Sequence, residues 1–169
     1  MVAKIALHRF DLTLSSNGKA AKMRSLWSAV ATILCAIALS ARAEEASVGF
    51  VKALSGLATV THGAIATPAA LAMPIYQHDR LETGGDGELG VTFRDNTRIS
   101  LGPNSRIELE HFVFKPTTKE YGFLLRLAYG TLEYISGLTE KLAPEAMSIE
   151  TPGFTLGARG TRLLVRTEQ

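Results

Sequence analysis

From Val48 onward the chain alternates between apolar and polar residues rather than following a helical stripe. Leu89, Val91 and Phe93 point one way while Glu88, Gly90 and Thr92 point the other. Ile99 and Leu101, then Ile107 and Leu109, continue the same period of two. Successive side chains of an extended strand leave on opposite faces, so this pattern predicts strands with one buried face. The breaks between runs are Gly84-Gly85-Asp86-Gly87, Asp95-Asn96-Thr97 and Gly102-Pro103-Asn104-Ser105. Gly, Asn and Asp tolerate positive φ and Pro presets φ near −65°, so each cluster can reverse the chain. Asp95, Asn96, Pro103, Asn104 and Ser105 are read as turn determinants, and Ile99, Leu101, Ile107 and Leu109 as core.

Within this stretch "RDNTRISL" and "GPNSRIEL" form a near-repeat of eight residues, with "GDGELGVTF" a looser copy. Too few copies are present for a long solenoid. The expected fold is all-β: a compact stack or roll of short antiparallel or solenoid-like strands with tight Gly/Asn/Pro turns. Further strands are predicted at 48–51 and 57–61, flanking a hairpin-like turn at Ser55-Gly56. Others fall at 112–114, 122–128, 131–135, 148–151, 154–156 and 163–166. Residues 138–147, "LTEKLAPEAM", read as a surface loop with at most a helical turn.

The front of the chain has another character. An uncharged run of fourteen residues, Leu26 to Leu39, follows Arg24 and precedes Ser40-Ala41-Arg42-Ala43. A positive start, a short apolar run and an Ala-x-Ala end are the parts of a secretory signal. The run is shorter than the roughly 20 residues that span a bilayer as a helix. Residues 1–43 are therefore read as a signal peptide cut after Ala43, with Met23 as an alternative start, and residues 44–169 as one β-domain. No membrane span is expected in the mature chain. The lone cysteine, Cys35, lies inside the signal, so the mature chain would hold none, which suits an oxidising compartment.

Charge narrows the partners. The formal net charge is +2, but six Lys/Arg and one Asp lie in residues 1–43, leaving twelve basic and fifteen acidic residues in the body. No basic run tracks a phosphate backbone, so nucleic acid is not an expected partner.

Candidate chemistry is sparse. His62, His78 and His111 show no zinc-ligand spacing. Asp86, Glu88 and Asp95 lack the spacing of a calcium loop. Glu108 and Glu110 share a strand face but alternate with core residues, as solvated glutamates do. No Gly-x-Ser-x-Gly elbow is present. The chain is read as non-enzymatic, without a cofactor. Gly157-Ala158-Arg159-Gly160-Thr161 is the sharpest late feature, and Arg159, Gly160 and Thr161 are read as an interaction or structural anchor.

The order of these pieces matches a known pattern. Asp79, Thr83-Gly84, Asp95-Asn96-Thr97, Pro103-Asn104-Ser105, Gly130, Thr151-Pro152 and Arg159-Gly160-Thr161 fall in sequence between Val48 and Val165. In this the chain resembles the FecR-type periplasmic domain family. Two positions depart from that pattern: His78 and Asn96 stand where the family has glycine. Asn96 tolerates the left-handed conformation, and His78 is expected to need an ordinary backbone. The best-known members join this domain to a cytoplasmic anti-sigma segment and relay receptor occupancy to a sigma factor. About twenty-two residues precede the signal here, well below domain size. The resemblance thus implies an exported, periplasmic or secreted sensing or protein-interaction module without the anti-sigma segment. Its expected partner is an envelope protein, a receptor or signalling component, met at a sheet edge or at residues 138–147. The alternative is a small-ligand or glycan-binding β-domain using Phe112, Phe114 or Tyr121.

Overall fold

The computed structural model describes residues 45–157 and 162–168. These residues form an all-β fold of twelve strands: β1 (Gly49–Ser55), β2 (Ala58–His62), β3 (Ile65–Pro68), β4 (Pro74–Ile75), β5 (Arg80–Thr83), β6 (Glu88–Phe93), β7 (Arg98–Leu101), β8 (Arg106–Lys115), β9 (Glu120–Ile135), β10 (Met147–Glu150), β11 (Thr155–Gly157) and β12 (Arg162–Thr167). One short helix, α1 (Leu138–Leu142), and a 3₁₀ turn (Pro144–Ala146) interrupt them.

The strands make one sheet that curls into two leaves. The long strand β9 belongs to both. Its first part pairs with β8 along Glu120–Tyr129, and Phe123–Arg126 also pair in parallel with β10. Its second part pairs with β7 on one side and β12 on the other, both antiparallel. One leaf therefore runs β4-β1-β6-β7-β9-β12, and the other β3-β2-β5-β8-β9-β10-β11. Every pairing except β9–β10 is antiparallel.

The leaves face each other across a single core. Leu89, Val91, Phe93, Ile99, Leu101, Leu132 and Tyr134 come from the first leaf, and Leu81, Ile107, Leu109, Phe123, Leu125 and Leu127 from the second. Ile99, Leu101, Ile107 and Leu109 are all at most 2% exposed. Burying side chains of this size contributes about 1.5–3 kcal/mol each, which is what holds the leaves closed. At one end Phe93, Phe112 and Phe123 pack ring to ring at centroid distances of 4.9–5.6 Å.

Four local readings change. Ser55-Gly56 does not close a hairpin: β1 pairs with β6 and β4, while β2 pairs with β3 and β5 in the other leaf. The two copies of the eight-residue repeat, β7 and β8, pair with successive stretches of β9 rather than with each other. Gly130 does not end a strand. It sits inside β9 at φ +96°, where the strand passes between leaves, and a Cβ there would run into the Ser105 backbone. Residues 138–147 are not a free loop, because Thr139, Glu140, Ala143 and Met147 are buried.

Leu101→Ala should destabilise the protein by about 2–5 kcal/mol, the range for truncating a buried leucine. Arg98→Ala, on the opposite face of the same strand, should stay within about 0.5 kcal/mol. Urea denaturation of both variants checks the assignment, and equal small effects would contradict it.

Candidate interaction face

Three buried polar clusters shape the leaves and hold their turns. The first is built on Asp95, which is fully buried. Its Oδ1 accepts the Thr97 N–H at 3.0 Å, and its Oδ2 accepts the Thr97 hydroxyl at 2.7 Å. The same Oδ2 accepts the Thr139 N–H at 3.4 Å, and the Asp95 carbonyl accepts the Leu138 N–H at 2.7 Å. One carboxylate thus closes the β6–β7 turn and fastens the start of α1. Gly137 permits the approach, because a Cβ there would meet Asp95 and Thr97. Asn96 supplies the turn's left-handed residue at φ +65°.

Ser105 centres the second cluster. Its N–H donates to the Thr83 hydroxyl at 2.9 Å, and that hydroxyl donates to the Gly102 carbonyl at 2.7 Å. Its own hydroxyl accepts the Thr131 N–H at 2.9 Å. β5, the β7–β8 turn and the crossing point of β9 are thereby tied together. Asn104, at φ +50°, donates its N–H to the Gly84 carbonyl at 2.9 Å, and Pro103 precedes it without an N–H to satisfy.

Asp79 makes the third, apart from the other two. It is 1% exposed, accepts the Tyr76 N–H at 2.8 Å and lies 2.6 Å from Nδ1 of His62. The His62 ring tilts against Tyr76, with Glu45 3.8 Å from its other nitrogen. His78 adopts φ +66° just before Asp79, so the expectation of an ordinary backbone there is overturned. The turn that presents Asp79 demands the left-handed region whichever residue occupies it, and histidine is among the few non-glycine residues enriched there.

Tyr134 lies beside the Asp95 cluster, fully buried, with its hydroxyl donating to Glu140 at 3.3 Å. Burial, then the neighbouring Glu140 charge, push its phenol well above the usual range. Among the described residues no cluster of three His, Cys, Asp or Glu is arranged to hold a metal ion. No described helix is long and apolar enough to cross a membrane. Arg159, Gly160 and Thr161 lie outside the described residues, as do residues 1–43.

The outer faces of the two leaves differ. The β5-β8-β9-β10 face carries a ladder of ion pairs: Arg106–Glu82 at 2.8 Å, Arg126–Glu110 at 2.5 Å and Arg126–Glu150 at 3.1 Å. Glu108 and Glu110 belong to this face, with Arg80 and Arg126 opposite Glu108 in register. Phe112 is buried in the core and offers no stacking surface, while Phe114 and Tyr121 form a half-buried cross-strand pair with centroids 6.0 Å apart.

The other outer face is open among the described residues. A row of residues crosses it in register from Leu164 on β12 through Glu133, Ser100 and Gly90 to Ala53 on β1. Small side chains in the middle of the row leave a groove of about 430 Å³. Leu164 stands at its rim, 74% exposed. Arg162, Arg166 and Arg98 surround it, and only Arg162 forms an ion pair, with Glu133, among the described residues. A second hollow of about 270 Å³ begins on the other side of Thr131 and includes Arg166. This face was not singled out from sequence. Its signal is Leu163-Leu164-Val165, three consecutive apolar residues where alternation calls for a polar one at 164.

Asp95→Ala strands the buried N–H groups of Thr97 and Thr139 and should cost roughly 3 kcal/mol, whereas exposed Asp86→Ala should cost under about 1 kcal/mol. Chemical denaturation measures both. For Tyr134 the folded phenol titrates above its unfolded value near 10. Its contribution is full below pH 10 and is lost as pH rises further, because only the unfolded chain releases the proton. Tyr134→Phe should flatten this alkaline loss of stability in denaturation curves taken between about pH 9 and 11.

No curated protein and no solved structure matches the chain. A family model does: the one described as FecR protein, over residues 79–169. That segment opens at Asp79, contains the Asp95 and Ser105 clusters, and runs through β12. It covers more than half of the chain, and the protein belongs to the FecR family.

Proposed function

We propose that this protein is an exported, non-enzymatic sensing or protein-interaction module of the bacterial envelope, acting in the periplasm or after secretion. The FecR family is regulatory rather than enzymatic, which supports a signalling role. In this reading residues 1–43 are the export signal, cut after Ala43, and residues 44–169 are the mature domain. Asp79, Asp95, Asn96, Pro103, Asn104 and Ser105, with the core leucines and isoleucines of β7 and β8, hold the frame. Arg159, Gly160 and Thr161, outside the described residues, are an interaction or structural anchor in this reading.

One observation carries the reading: among the described residues the face of β1, β6, β7, β9 and β12 is left open. The opposite leaf carries three cross-strand ion pairs, whereas this one presents a groove, an exposed leucine and, beside the Arg162–Glu133 pair, Arg98 and Arg166 with no ion-pair partner among the described residues. Apolar and arginine side chains exposed together are characteristic of surfaces that meet other proteins.

Affinity capture of the tagged chain from the cross-linked envelope of its own host tests the proposal. An outer-membrane receptor or an inner-membrane regulator should be retained reproducibly, and the captured chain should begin at Glu44. A blank from a folded, exported chain would overturn the interaction reading.

A further inference from the structure

The free edge of β12 has a chemistry of its own. β12 pairs with β9 on one side only, so its other side presents backbone N–H and C=O groups without a strand partner among the described residues. The remaining free edges are poorer templates. β4 has two residues and β11 three, and β3 ends in Pro68, which has no N–H to donate. β12 offers six residues, a full strand length.

Its outward side chains are Arg162, Leu164 and Arg166, all exposed, with Leu163 half-buried and Val165 buried on the inner side. Charge decides what can pair there. If β12 met a second copy of itself antiparallel about Leu164, Arg162 of each copy would face Arg166 of the other. Like charges directly opposite across a strand pair are destabilising. A strand with carboxylates at those two places and an apolar residue between them would face Arg166, Leu164 and Arg162, the last of which also pairs with Glu133 of β9. Its inward side chains would cover Leu163.

We propose that β12 is a docking edge for an extended acidic segment of a partner protein, patterned acidic–x–apolar–x–acidic, which joins the leaf as an added strand. The ladder's backbone bonds would supply affinity, and Arg162, Leu164 and Arg166 would select the sequence. The two arginines that discourage self-association are also what selects an acidic strand. This assignment rests on the interaction reading above and specifies its surface.

The test uses the full chain and two blocked, fluorescent peptides, Gly-Glu-Thr-Leu-Thr-Glu-Gly and its lysine counterpart. Anisotropy titration at low salt should show the acidic peptide binding about tenfold more tightly than the basic one, given attraction at two positions against repulsion at two. Arg166→Glu should lower affinity for the acidic peptide roughly fivefold and raise it for the basic one. Hydrogen exchange should slow at residues 162–167 when the acidic peptide binds. Equal affinities, protection confined to another strand, or a concentration-dependent dimer that protects 162–167 without peptide would each overturn the assignment. A partner captured from the envelope that leaves exchange at 162–167 unchanged would overturn it too, while leaving the interaction reading intact.

Discussion

β9 has to serve two leaves, and its backbone passes between them where residue 130 carries no side chain. Gly130 takes a left-handed φ, and its α-carbon lies against Ser105, so the β7–β8 turn and the crossing point occupy one another's space. The Ser105 hydroxyl accepts the N–H of Thr131 just past the crossing. The two leaves are therefore halves of one ladder rather than separate sheets packed together. The pairings β8–β9 and β7–β9 and the core between them all follow from this crossing.

The buried polar residues do a related job elsewhere. Asp95 and Thr83 are buried side chains whose partners are mostly backbone groups of turns. A buried polar group is costly unless it is hydrogen-bonded, so each cluster is stable in one arrangement of its turns and poor in others. Apolar packing alone tolerates some slippage between leaves; these clusters do not. That places the rigid part of the fold at the turns of residues 83–84, 95–97 and 102–105 and leaves β12, on the far side of β9, to present side chains outward.

The contrast between the two outer faces has a simple electrostatic origin. On the β8–β9 leaf, arginines and glutamates alternate across neighbouring strands and satisfy one another. On the β12 leaf the middle of the row is Ser100, Gly90 and Ala53, which cannot bridge anything. Arg98 and Arg166, without an ion-pair partner among the described residues, retain capacity for carboxylates supplied from outside, and Leu164 has apolar area to bury.

Much of the strand content was legible in the residues. Alternation in 88–93, 98–101 and 106–109 identifies which side chains face inward, because strand geometry sends successive residues to opposite faces whatever the strand pairs with. Turn-forming Asn96 and Asn104 are recognisable because few residues accept positive φ. Partner choice is a different matter. Backbone ladders carry no residue code, so nothing local says that β1 and β2 part into different leaves or that β7 and β8 both pair along β9. His78 shows the same limit: its left-handed backbone is imposed by the turn around Asp79, not by its own preference. The open face was hidden for the related reason that an exposed apolar residue and a buried one look alike until the neighbouring strand is known. The sequence by itself determined an all-β chain, its inward residues and several of its turns. Tertiary structure alone decided the crossing of β9, the reach of Asp95 to a helix forty-four residues away, and the edge left free at β12, because each depends on which distant strands meet.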